Sequence, residues 1–341
     1  MLNAFRQVLE GSVPDSIPVW FMRQAGRYLP GYTEARKSKS IKEMCMDPAL
    51  LVKIMEEPIS KLGVDSAIVF FDILLPLEAM GARVDFTNGT GPVVQPVAYE
   101  ESYPRLLEFD QKKMKYPLSE TIRKFKETHN GFPVIGFSGG PVTMLSYLVS
   151  GRGDRDMGST KRMIASKERL FHQNMRLLTE MIISMLKIQI NAGADVVQIF
   201  DSWAGFFSPY QYDGLMKKYL SEIVSELSSL KKKIIYFSIA TSGIAKQIVE
   251  SGVDYISADW RSRLSLIDSF TSGKVGLQGN LDPTIAAESP AGALRETEQI
   301  LNDISYKQDY IFNLGHGVLP NTDFRTLQEI VKLVHDFRRG S

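Results

Sequence analysis

Cysteine is nearly absent from this chain: Cys45 is the only one in 341 residues. A single thiol excludes an intrachain disulfide framework and a cysteine-rich zinc site together. The four histidines, His129, His172, His316 and His335, are scattered and show no metal-ligand spacing. No apolar run reaches the ~18 residues that a membrane span needs. The N-terminal MLNAFRQVLEG is amphipathic and lacks the apolar core of a signal peptide. Excess charge is lacking too. The formal net charge is +1, so no global field argues for nucleic acid as a partner, and any positive charge that matters must be local. There is no low-complexity stretch, charge block or linker, so one domain over residues 1–341 is expected. A reducing, cytoplasmic setting without membrane, nucleic-acid or metal partners fits these absences.

What is present is an ordinary globular composition, 44% hydrophobic and 23% charged. Short apolar or β-branched runs recur along it: Ile17–Met22, Ser66–Phe71, Pro133–Ser138, Asp195–Phe200, Lys233–Ile239, Val253–Ala258, Val275–Gln278 and Tyr310–Leu314. Each is buried in type and ends at a polar residue or glycine. Helical stretches separate most of them. Asp47-Pro48, Ser208-Pro209, Asp282-Pro283 and Ser289-Pro290 each set a capping side chain before a proline at the first helical position. Thr160–Asn191 reads as one long helix ended by Gly193, and Phe324, Leu327, Ile330, Val331, Val334 and Phe337 line one face of a last helix. Eight strands alternating with helices predict an α/β fold, a single (β/α)8 barrel, with a doubly wound open sheet as the alternative. Ala82–Val97 breaks the repeat, and its Asn88-Gly89 suggests an inserted hairpin.

In such a barrel the chemistry sits at the C-terminal strand ends. Those positions are Arg23, Asp72, Ser138 with Gly139-Gly140, Asp201-Ser202, Ala240-Thr241, Asp259, Asn280, and His316 between Gly315 and Gly317. Turn chemistry alone explains Ser138, Asp259 and Asn280, but explains Arg23, Asp72 and His316 poorly. After the run Val19–Met22, the residues Gly26, Pro30 and Gly31 predict a shaped loop, not a helix, that carries Arg23, Arg27 and Arg36. Each arginine taken singly reads as a solvated surface charge, whereas three guanidiniums clustered on one loop after a buried strand read as a receptor for several carboxylates or phosphates.

Asp72 stands in AIVFFDILLPL (67–77), where almost nothing else is polar. A carboxylate there loses hydration, so it is either a helix cap or ion-paired group, or an anion awaiting a ligand's N–H or cationic group. His316 reads equally as a proton donor, a hydrogen-bond donor to a carboxylate, or a packed histidine. The other three histidines lie in polar helical contexts and are expected at the surface. Tyr147 either packs in the core or aims its hydroxyl into the mouth. Phe206, Phe207 and Tyr210 either wall the cleft or pack ordinarily. Gly139-Gly140-Pro141 lacks the spacing of a nucleotide loop.

MRQAGRYLP (22–30), FFDIL (70–74), FDSWAG (200–205), GLQGNLDP (276–283) and NLGHG (313–317) together closely resemble the uroporphyrinogen decarboxylase family, in order and over nearly the whole chain. The resemblance implies a (β/α)8 barrel, commonly a homodimer. It implies an enzyme that needs no metal or organic cofactor and converts the four acetates of uroporphyrinogen III to methyls, giving coproporphyrinogen III and CO2 in haem biosynthesis.

By the resemblance Asp72 matches the aspartate among the four pyrrole N–H groups, and Arg23 matches a residue proposed as proton donor. A water held by Arg23, or His316, are the alternatives for that proton. Arg27 and Arg36 match binders of the substrate's carboxylates. Tyr147, Ser202 and His316 match substrate contacts, and Gln24 and Ile68 match positions lining the same cleft. Two places depart from the family pattern. Gly139-Gly140-Pro141-Val142 stands where G-A-P-W is usual, and Ala240-Thr241-Ser242-Gly243 where a Lys-Gly pair is common. A corrinoid-linked methyltransferase with a His/Cys zinc site is the nearest rival, and a non-catalytic tetrapyrrole or polyanion carrier the second. The presence of Asp72 beside Arg23 argues against a carrier, which has little use for a buried anion facing an anionic ligand.

Overall fold

The structure, a computed structural model, describes residues 3–87, 91–96, 98–100, 102–154 and 156–338. Its strands in chain order are β1 (Ala67–Ile68), β2 (Arg83–Thr87), β3 (Gly91–Gln95), β4 (Ala98–Glu100), β5 (Tyr103–Arg105), β6 (Val134–Gly139), β7 (Val196–Phe200), β8 (Lys233–Phe237), β9 (Tyr255–Ser257), β10 (Gly276–Leu281) and β11 (Tyr310–Leu314). Seven form one curled parallel sheet in the order β1-β6-β7-β8-β9-β10-β11. Each neighbour follows its predecessor through helices, as parallel pairing requires. The sheet residues are buried almost throughout, the pattern of strands covered on both faces.

The sheet has seven strands where the sequence suggests eight, and a closed eight-stranded barrel is not what the described residues show. The missing strand is Ile17–Met22. This segment is extended and buried, but it joins the sheet only through a bridge between Val19 and Phe312 and one bond from the Asp65 N–H to the Val19 carbonyl (2.8 Å). The reason lies in its N–H groups. Pro18 has none, Val19 donates to the Asp65 carboxylate (2.8 Å), Phe21 to Gln24 Oε1 (3.1 Å) and Met22 to Asn313 Oδ1 (3.0 Å). Side-chain acceptors hold the donors that a ladder would use. β1 is likewise shorter than Ser66–Phe71, because Phe70 and Phe71 leave the sheet towards a cavity.

Three helical expectations change. Pro30, Gly31 and Arg36 lie in a helix, Pro30–Ser38, not in a loop. Proline fits its first position, where the missing N–H has no partner to lose. The expected long helix is two, Gly158–Ser166 and Glu168–Ala192, broken where Lys167 leaves helical geometry (φ −142°). No glycine or proline marks that break in the sequence. The last helix, Phe324–Asp336, stops one residue before Phe337, which packs beside it as a cap.

The four proline-led starts are all present, with Asp47, Ser208, Asp282 and Ser289 accepting from backbone N–H groups. β2 and β3 form the inserted antiparallel hairpin, while Asn88 and Gly89 themselves lie outside the described residues. A second small hairpin, β4–β5, follows it. The three helical histidines are half-buried, not surface residues. His129 stacks on Phe125 (4.5 Å), His172 bonds the Tyr219 hydroxyl (2.7 Å), and His335 pairs with Asp65 (2.8 Å), tying the last helix to the sheet. Among the described residues no helix is long and apolar enough to cross a membrane.

Candidate active site

At the C-terminal end of the sheet lies a cavity of about 220 Å³, bounded by Met22, Arg23, Ala25, Ile68–Ile73, Phe137, Phe200, Ser202, Phe237, His316 and Gly317. One wall is aromatic. Phe137 meets Phe200 at 5.6 Å and 80°, Phe200 meets Phe237 at 6.1 Å and 64°, and Phe237 meets the His316 ring at 5.8 Å and 72°. These edge-to-face contacts run from β6 through β7 and β8 to the loop after β11, and they suit a flat apolar ligand face. The sequence reading missed this wall. The signal was there: each phenylalanine sits at or just before the end of a strand, and Phe200 and Phe237 directly precede the polar residues Asp201 and Ser238.

The polar wall is sparse. Asp72 follows β1, and its Oδ1 accepts from the Leu74 N–H (2.8 Å), closing a short turn just ahead of the 3-10 helix Leu75–Met80, which has no side-chain cap of its own. The rest of the carboxyl faces the cavity. Burial pushes its pKa up to about 6, against the opposing pull of the Leu74 N–H and of the Arg23 charge. Arg23 takes a left-handed backbone (φ 61°), uncommon for a residue other than glycine. Its stem passes over Gly317, where a Cβ would lie 2.4 Å from the arginine Cδ. Gly317 therefore gives Arg23 its path into the cavity.

His316 is driven the other way. Burial, then the charges of Arg23 and Arg261, bring its pKa down to about 4, so the ring is neutral at pH 7. A neutral imidazole donates one hydrogen bond and accepts one. This favours the hydrogen-bond role over an imidazolium proton donor.

Five residues singled out from sequence thus share the cavity: Arg23, Ile68, Asp72, Ser202 and His316. The others are placed differently. Gln24 does not line the cleft. It is 1% exposed, and its amide is used internally, accepting from the Phe21 N–H and donating to the Ser66 carbonyl (2.9 Å). It braces the turn that presents Arg23. Arg27 is exposed and outside the cavity lining. Arg36 is on the helix Pro30–Ser38, with Nη1 donating to the Lys39 carbonyl (2.5 Å). The expected trio of converging arginines reduces here to Arg23.

Tyr147 is not among the residues that bound the cavity; it is half-buried, its ring 4.7 Å from that of Trp203. Its hydroxyl pKa is raised by burial, and it feels Asp72 and Arg23, so it borders the same polar group. Phe206, Phe207 and Tyr210 do not wall the cavity; Phe207 is core and Tyr210 is 89% exposed. Val142, one of the departures, is also core.

Asp201 is a second buried carboxylate, and sequence reasoning gave it no role beyond a strand end. It accepts from the Thr143 N–H (2.7 Å), the Val142 N–H (3.4 Å) and the Tyr236 hydroxyl (3.0 Å). It thereby caps the helix Pro141–Ser150, which carries Tyr147. Cys45 is buried behind Asp72. Burial and the Asp72 charge push its thiol up to about 12, which makes it inert. Among the described residues no three His, Cys, Asp or Glu side chains converge as a metal site would need.

Comparison with known proteins gives one consistent result. A family profile described as "Uroporphyrinogen decarboxylase (URO-D)" matches residues 2–337. The uroporphyrinogen decarboxylase of Picrophilus torridus is 42% identical, over 99% of this chain and 100% of its own length. That of Thermoplasma acidophilum is 42% identical, over 98% of this chain and 99% of its own. Among solved structures, a methyltransferase from Methanosarcina mazei superposes with a TM-score of 0.78 at 19% identity, covering 96% of each chain. At that identity the likeness speaks for the fold alone.

Proposed function

From the premise that this chain belongs to the uroporphyrinogen decarboxylase family, we propose how the cavity performs a decarboxylation of porphyrin biosynthesis. The substrate is uroporphyrinogen III, and its four acetates become methyls with release of four CO2, giving coproporphyrinogen III. The observation that carries this reading is Asp72, a carboxyl in a phenylalanine-walled cavity with one bond from the chain and its remaining acceptor capacity turned to the ligand.

The macrocycle lies against the aromatic wall with its pyrrole N–H groups directed at Asp72. Protonation of a pyrrole on carbon makes the ring cationic. The bond to the acetate carboxylate then breaks, CO2 leaves, and the bonding electrons flow into that ring; a proton taken up at the exocyclic carbon completes the methyl, and the ring carbon gives up the proton it first received, so that each acetate consumes one proton net. A fixed anion stabilises the ring cation most where water is excluded. Arg23 holds a substrate carboxylate as a charge-assisted pair. Neutral His316 and Ser202 donate hydrogen bonds, and Ile68 contributes apolar wall. An arginine is too weak an acid on its ordinary pKa to supply the proton. With His316 neutral as well, a water bound to Arg23 is the better source. Tyr147, within electrostatic reach of Asp72 and Arg23, borders the same polar group. A cytoplasmic homodimer belongs to the same proposal and rests on the family likeness.

The test is direct. Purified protein, freed of metals and incubated anaerobically with uroporphyrinogen III, releases CO2 and accumulates coproporphyrinogen III. Intact substrate after prolonged incubation would overturn the assignment and leave the carrier reading in its place.

A further inference from the structure

The cavity is smaller than the ~300–1,000 Å³ usual for pockets that enclose their ligands. A macrocycle carrying eight carboxylates therefore cannot place them all inside. Its periphery must reach the rim, yet among the described residues Arg23 is the only cation lining the cavity. The geometry points to Arg261 as a second carboxylate-binding guanidinium and a determinant of substrate charge preference. This rests on the function proposed above.

Arg261 follows β9, on the same side of the sheet as Asp72, Ser202 and His316. Its loop lies back to back with the loop of His316: at Gly315 a Cβ would come within 2.5 Å of the Trp260 N atom. The two guanidiniums, Arg23 and Arg261, both act on the His316 ring. Arg261 is also built to stay in place. Nη1 donates to Asp259 Oδ2 (2.5 Å), and the guanidinium carbon sits over the Trp260 ring, 4.2 Å from its centroid.

Asp259 itself is fully buried and held by the Thr241 N–H (3.2 Å) at Oδ1, while its carbonyl accepts from Asn280 (2.9 Å). It is a positioning residue for the arginine. The guanidinium has five N–H donors in a fixed fork; Asp259 takes one nitrogen, and the side chain is 49% exposed, which leaves donors for a ligand. The cavity of about 640 Å³ that opens beside it carries Arg263 but also the carboxylates Glu296 and Asp303, so a substrate carboxylate meets Arg261 at the rim and not inside that cavity. A carboxylate arm projecting from the macrocycle finds there a pre-oriented partner, at little entropic cost to the arginine.

The experiment compares steady-state kinetics of wild type, R261Q and R261K with uroporphyrinogen III, and inhibition by coproporphyrinogen III, which carries half as many carboxylates. We expect R261Q to raise KM about tenfold while kcat stays within twofold. KM should also lose part of its salt dependence, and the inhibition constant of the tetracarboxylate should change less than KM. R261K keeps the charge but loses the fork, and should raise KM about threefold. KM and salt dependence within 1.5-fold of wild type in R261Q overturn the inference. Should R261Q not fold, R261K decides by the same criterion. A wild-type enzyme that releases no CO2 fails the function reading instead, so the two failures are distinguishable.

Discussion

The loops after β1 and after β7 each carry an aspartate at a strand end, Asp72 half-buried and Asp201 fully buried, and in both the carboxyl is pushed up to about 6, with loss of hydration as the leading cause. Their surroundings differ. Asp201 is surrounded by its own chain: two backbone N–H groups and the Tyr236 hydroxyl occupy it, the Tyr212 hydroxyl backs the tyrosine (3.3 Å), and Gly140 lacks the Cβ that would come within 2.2 Å of it. Asp72 has the single Leu74 N–H and a cavity. A displaced pKa therefore does not separate structural from functional carboxylates in this protein. Unused acceptor capacity does. Asp201 spends both oxygens on folding, and Asp72 spends part of one and keeps the rest for a ligand.

The contrast breaks most visibly in stability. Asp201→Ala leaves three buried donors without an acceptor, each costing about 1–3 kcal/mol. The expected loss is about 3 kcal/mol in urea unfolding, allowing for partial rescue by water. Asp72→Ala removes one acceptor and one poorly solvated charge, and should change stability by less than about 1 kcal/mol. Equal losses from both variants would erase the distinction.

Turnover sharpens it from the other side. Asp72→Asn keeps an oxygen for the Leu74 N–H, so the turn survives, but the negative charge is gone. We expect kcat to fall at least tenfold with a modest change in KM, because the interaction is strongest with the ring cation and not with the resting substrate. Tenfold corresponds to about 1.4 kcal/mol, a smaller effect than that of Asp201→Ala on folding. Unchanged turnover would remove Asp72 from the mechanism.

The same contrast shows what a sequence can and cannot carry. Asp72 was legible because it is the lone polar residue in an apolar run, and His316 because glycines flank it. Seven of eight strand signals and all four proline-led helix starts were legible from local pattern. The eighth strand was not, since Asp65, Gln24 and Asn313 satisfy Val19, Phe21 and Met22, and Asp65 and Asn313 come from distant parts of the chain. Arg23, Arg27 and Arg36 were recognisable as charges but not in direction, because Pro30 begins a helix that carries Arg36 away from the cavity. The inward direction of Gln24 is hidden for a related reason: its amide bonds Phe21 within the turn and Ser66 from a distant segment of the chain. The capping role of Asp201 depends on Gly140 and Tyr236, and no spacing rule brings those three together.

The finest separation comes from pH. Both carboxyls have folded pKa values near 6, above the ordinary value of about 4 for an aspartate. Between these limits the folded chain binds more protons than the unfolded chain, so stability rises as pH falls through 6. Activity should move oppositely, since Asp72 must be ionised to stabilise a cation. Lowering the pH from 7 to 5 should cut kcat/KM, which reports the free enzyme, by about tenfold, while the unfolding midpoint holds or rises. Acid-induced unfolding would lower both together. In Asp72→Asn the residual rate should lose the limb near pH 6, and the gain in stability should shrink to the share left by Asp201. A residual rate that kept the same limb would assign it to another group and would leave Asp72 and Asp201 alike.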